Sequence, residues 1–180
     1  MAAKRGTGGH LKKSELFPSL SEHSPIILIS ACLVGVPCRY DGQSSLLSPS
    51  VSFDLLNRTR LILVCPEHLG GLPTPRPRNE IQGGTGVDVL EGRSRVMNEN
   101  GEDVTAQFCR GAEIVLKIAK SLGINVAVLK SKSPSCGCGK IYDGSFQGHL
   151  IPGDGVTTAL LRLHGIKVFT EKAVQKIALH

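Results

Sequence analysis

The chain has no tryptophan, and only two tyrosines and five phenylalanines among its 180 residues. That scarcity argues against an aromatic base-stacking platform of the kind used by single-strand nucleic-acid binders. No window approaches the ~20 consecutive apolar residues that a membrane helix needs. The opening stretch, MAAKRGTGGHLKKSELFPSLSEHSP, carries basic residues but no apolar run, so it does not read as a secretion signal. Its Gly, Ser and Lys content predicts a mobile arm over residues 1–24, ahead of an α/β domain over 25–180. There is no long Lys/Arg run either. The net charge of +6, from 21 basic and 15 acidic residues, gives only a mild preference for anionic partners and also suits an ordinary solvated surface. A soluble, cytoplasmic protein is expected, with no membrane partner.

Glycine, proline and cysteine are plentiful: 21, 10 and 6 residues. Six cysteines without a secretion signal point to metal or catalytic use rather than disulfides. Four short apolar, β-branched runs mark buried strands: PIILIS (25–30), RLILVC (60–65), NVAVLK (125–130) and GIKVFT (165–170). Their apolar residues fall at successive positions, as in strands covered on both faces of a parallel sheet. Helical spacing predicts helices over 48–58, 103–122 (capped by Asp103, stopped by Gly123), 153–165 (starting at Asp154) and 170–179 (capped by Thr170). Residues 87–101 read as a small β-hairpin insertion turning at Glu91–Gly92. The order is that of a single α/β domain with a mostly parallel sheet flanked by helices.

On this map Cys32 follows the first strand, Cys65 ends the second and Cys136 follows the third. The carboxyl ends of parallel strands share one edge, so these thiols can converge without any CxxC spacing. Gly- and Pro-rich loops around them suit a site better than a packing surface. Three thiolates can serve a zinc ion, with Cys38 or Cys138 as fourth ligand. They also suit an iron–sulfur cluster that keeps one open iron. A thiol nucleophile would need a base, for which His68 and His164 are the candidates. Cys109, inside a helical pattern beside Phe108, reads as packing.

The stretches SACLVGVPCRYDG, CPEHLGGLPTPRPRNEI, LKSKSPSCG and GDGVTTALLRLHGIKVF resemble the small single-domain branch of the thiouracil desulfurase (TudS-like) family, from about Ile26 to Phe169. The resemblance implies a Rossmann-like domain with a [4Fe-4S] cluster on Cys32, Cys65 and Cys136, supplied by Fe–S assembly machinery. It also implies non-redox removal of sulfur from a thiolated pyrimidine, giving uracil and hydrogen sulfide. Glu67, two residues after Cys65, is then the candidate general base, and Ser133 a candidate substrate or proton-relay group. Glu67 can instead pair with Arg39 or Arg76, and Ser133 can simply cap its loop. Arg78 and Glu80 lie in the same motifs without an assigned role. A free base or nucleoside is the favoured substrate, ahead of thiolated uridine in RNA. A non-catalytic cluster- or zinc-binding module is the alternative of another class.

Overall fold

The structure, a computed structural model, describes residues 24–176. In chain order these form β1 (Ile26–Ser30), a 3-10 turn (Ala31–Val34), α1 (Pro49–Arg58), β2 (Arg60–Val64), α2 (Pro66–Leu69), β3 (Asn79–Gln82), α3 (Gly86–Leu90), β4 (Arg95–Asn98), α4 (Thr105–Ser121), β5 (Val126–Leu129), β6 (Lys140–Tyr142), β7 (Leu150–Pro152), α5 (Val156–Leu163), β8 (Lys167–Thr170) and a closing 3-10 helix (Glu171–Lys176). The arm expected over 1–24 lies outside the described residues except for Ser24, as does the tail of the helix expected over 170–179.

The four apolar runs form one parallel sheet in the order β2-β1-β5-β8. Ile27 lies opposite Leu61, Leu28 opposite Ala127, and Ala127 opposite Val168. Burial alternates between faces, which explains why the runs read as continuously apolar. Leu28, Ala127, Leu129 and Val168 pack with Val115, Leu116 and Ala119 of α4 and Leu161 of α5. Ile27, Ile29 and Val128 pack on the other face with Leu47, Leu55 of α1 and Val174. The chain steps from β1 outward to β2 and returns on the opposite side of β1 to β5. The carboxyl ends of β1 and β5 therefore flank a topological switch point, the place where α/β sheets open a ligand crevice.

The predicted periodicity of α4 holds: Phe108, Ala112, Val115, Leu116 and Ala119 are its buried stripe. Its start differs. Asp103 accepts from Thr105 N at 2.9 Å as a two-residue turn, and the helix begins after Val104. Likewise α5 starts at Val156 and not at Asp154, whose carboxylate receives Gly139 N at 2.7 Å. The expected hairpin over 87–101 is corrected: residues 86–90 form α3, and β4 pairs antiparallel with β3 upstream. The capping box between Thr85 and Asp88 stabilises a helix there. A second antiparallel ribbon, β6–β7, had no expected counterpart. The segment after Thr170 is 3-10, and Thr170 belongs to β8. Among the described residues no helix is long and apolar enough to cross a membrane.

Candidate active site

At the carboxyl edge of the sheet a crevice of ≈ 520 Å³ is lined by Cys32, Cys38, Cys65 and Cys136 together with Glu67, Arg76, Glu80 and Ser133. The three predicted thiols thus meet in one cavity, brought there by different strand ends. Cys32 lies in the 3-10 turn after β1 and is buried. That turn closes at Gly35, whose φ of +98° suits glycine. Cys65 stands at the junction of β2 and α2, half-buried. Cys136 sits in the loop after β5, where Ser30 Oγ at the end of β1 donates to its sulfur at 3.4 Å. The same Ser30 oxygen accepts Lys130 N at 3.0 Å, so one hydroxyl ties β1, β5 and the Cys136 loop together.

Ser133 shapes that loop. Its oxygen accepts the backbone N–H groups of Ser135 and Cys136, each at 3.1 Å. The turn-capping role is therefore filled, and among the described residues nothing accepts the Ser133 proton. Cys136 is further fixed by Thr158, whose hydroxyl donates to its carbonyl at 2.9 Å.

Glu67 occupies the first turn of α2, two residues past Cys65. Of the two arginines weighed as its partner, Arg76 forms the pair and Arg39 does not: Arg39 bonds Asp41 at 2.9 Å and Ser45 at 2.8 Å. Arg76 donates from Nε and Nη2 to Glu67 Oε2, both at 2.7 Å. Its remaining donors reach the carbonyls of Cys38 and Pro73 and the Thr74 hydroxyl at 3.0–3.3 Å. The guanidinium is buried with all its reach used, so it fixes the carboxylate as a rigid fork. Oε1 of Glu67 has no protein partner among the described residues and is left for a ligand or water.

Burial and mutual contact favour the protonated form of three crevice thiols, Cys38, Cys65 and Cys136. Contact with Cys32, added to burial, pushes Cys38 up to about 11. Contact with Cys38 and burial raise Cys65 strongly. Burial, opposed by the Ser30 hydrogen bond, pushes Cys136 up to about 12. Such thiols are poor nucleophiles at neutral pH. Neither His68 nor His164 lines the crevice; His68 bonds Thr74, and His164 bonds the Leu160 carbonyl at 3.0 Å. A soft metal that displaces the protons is the better use of this donor set. Among the described residues no three His, Cys, Asp or Glu side chains can share a single metal ion. Thiols from three separate strand ends in one crevice suit, by their donor chemistry, a polynuclear cluster that offers each cysteine its own iron.

Two cysteines stay outside. Cys138 is not part of the crevice; it takes Arg162 Nη2 at 2.9 Å and faces the Val168 carbonyl at 3.6 Å. Cys109 packs against the cluster of Ile81, Val96 and Phe108. All six cysteines are free. Sequence reasoning missed Ser30 and the Lys130–Glu171 ion pair (2.7 Å), which docks the closing 3-10 helix on the crevice wall. The position of Ser30, the first polar residue after a buried apolar strand, was the available signal.

The 2-thiouracil desulfurase family matches residues 27–173. The uncharacterised protein YbbK of Bacillus subtilis (strain 168) is 44% identical over 152 residues, 84% of this chain and 99% of that protein. A solved structure of the [4Fe-4S]-dependent thiouracil desulfidase TudS is 48% identical, with a TM-score of 0.77 over 86% of this chain and 96% of that one.

Proposed function

This chain belongs to the 2-thiouracil desulfurase family, and from that premise and its crevice we propose that it hydrolyses the carbon–sulfur bond of a thiolated pyrimidine, giving uracil and hydrogen sulfide. The observation that carries this reading is one cavity holding three strand-end cysteines beside a carboxylate with a free oxygen. Cys32, Cys65 and Cys136 would hold the [4Fe-4S] cluster. When bound there, it supplies a soft, Lewis-acidic iron suited to a thiocarbonyl sulfur.

The protein groups supply the proton chemistry. Water adds to the thiocarbonyl carbon, and Glu67 Oε1 accepts its proton while Arg76 holds Oε2. The Ser133 hydroxyl, which lines the same crevice and accepts two N–H groups, keeps its proton to donate to substrate. Water and the thiocarbonyl exchange oxygen for sulfur, so the reaction needs no electrons and no redox partner. The crevice volume, ≈ 520 Å³, has room for a single base or nucleoside. A reducing cytoplasm would keep all six thiols free, and Fe–S assembly machinery would deliver the cluster.

Anaerobic reconstitution with iron and sulfide tests the assignment of ligands. Replacing Cys32, Cys65 or Cys136 by Ala should abolish four-iron absorbance and conversion of 2-thiouracil, whereas Cys138→Ser should keep both. Retention of a full cluster by any of the first three variants would remove that cysteine from the set.

A further inference from the structure

Glu80 is a carboxylate that the proposed hydrolysis does not use, yet it is only 5% exposed and lines the crevice. Its position on β3 places it under the loop joining β6 to β7. Oε2 accepts the N–H groups of Gly144 and Phe146, both at 3.0 Å. The loop is bent to deliver them: φ is +89° at Gly144 and +59° at Phe146. Gln82, on the same face of β3, adds a contact from its amide to the Gly144 carbonyl at 3.4 Å. No wholly buried side-chain oxygen among the described residues lacks a partner. Oε1 of Glu80 has none, so it is reachable, and the crevice is the space that Glu80 lines.

We propose that Glu80 Oε1 reads the substrate, accepting the ring N–H that adjoins the thiocarbonyl carbon. This rests on the thiopyrimidine reading above and names a specificity group for it. Every uracil-type thiocarbonyl sits in a thioamide, S=C–N–H, which pairs a soft acceptor atom with a hard donor. A soft metal and a hard carboxylate in one crevice recognise the two ends separately. Pinning Oε2 with two backbone donors fixes the direction of Oε1, so the contact sets which ring carbon faces Glu67. A carboxylate accepting an N–H is a charge-assisted contact, and losing it should weaken binding about 10- to 100-fold.

The test uses cluster-loaded protein and calorimetric binding of uracil, 1-methyluracil and 3-methyluracil. These lack sulfur, so their binding is read independently of turnover. One N-methyl derivative should bind about 10- to 100-fold more weakly than uracil. In Glu80→Gln the amide oxygen must keep facing Gly144 and Phe146, which turns the NH₂ toward the crevice. This variant should lose the same factor for uracil but nothing further for the weakened derivative. Equal binding of all three by wild-type protein, or no binding of uracil, overturns the proposal without any variant. Losses that multiply in Glu80→Gln also overturn it, because they would mark Glu80 as a support for the loop alone. Sulfide release from 2-thiouracil, assayed on the same sample, reports separately on the hydrolysis.

Discussion

Glu67 and Ser133 each use one part of the side chain to hold geometry and leave another part free. Arg76 grips one oxygen of Glu67, and Ser133 accepts two N–H groups while its proton stays available. Glu67→Gln keeps the size and one acceptor but removes the base. It should lower turnover by about 100-fold or more while iron and sulfide per chain stay at the wild-type value. Loss of cluster in parallel with activity would instead make Glu67 a support for Cys65. A second prediction concerns Glu171. Burial opposes its charge, but hydrogen bonds from Lys130 and Ser131 win and hold its pKa below the ordinary glutamate value. A depressed carboxylate adds stability above its unfolded pKa, and that stability goes as pH falls through the folded value. Glu171→Gln should cost about 1 kcal/mol at neutral pH and flatten the acid limb of the stability curve, measured by urea unfolding. The convergence of Cys32, Cys65 and Cys136 was legible at this scale, because parallel topology alone brings strand ends together. The choice of Arg76 over Arg39 was not: both lie in loops, and only the packed turn decides which guanidinium is buried.

At the scale of elements, the position of Glu67 depends on how closely α2 approaches α4. Gly70 and Gly111 face each other at that crossing; a Cβ on Gly70 would overlap the carbonyl of Gln107, and one on Gly111 that of Pro66. Gly111→Ala improves helix propensity, yet it should destabilise the fold by about 1–3 kcal/mol and reduce turnover by shifting α2. Thermal unfolding and steady-state rates read the two effects, and a variant with raised Tm and full activity would contradict this view. The four sheet strands were legible because burial on both faces leaves an uninterrupted apolar run. The β6–β7 ribbon was not, since each strand has three residues and shows no usable period. Residues 87–90 alternate valine with other residues and so mimic a strand, while the Thr85–Asp88 capping box carries the helix signal.

For the whole molecule, the cluster would join three segments that are distant in sequence: the turn after β1, the end of β2 and the loop after β5. Its removal by an iron chelator should lower Tm by about 5–10 °C. An unchanged Tm would place the metal away from these strand ends. The central claim is hydrolysis without electron transfer, and product counting tests it most directly. Anaerobically reconstituted protein, incubated with 2-thiouracil and no reductant, should release uracil and sulfide in equal amounts over many turnovers. A requirement for added reductant, or sulfide released only once per cluster, would contradict the account.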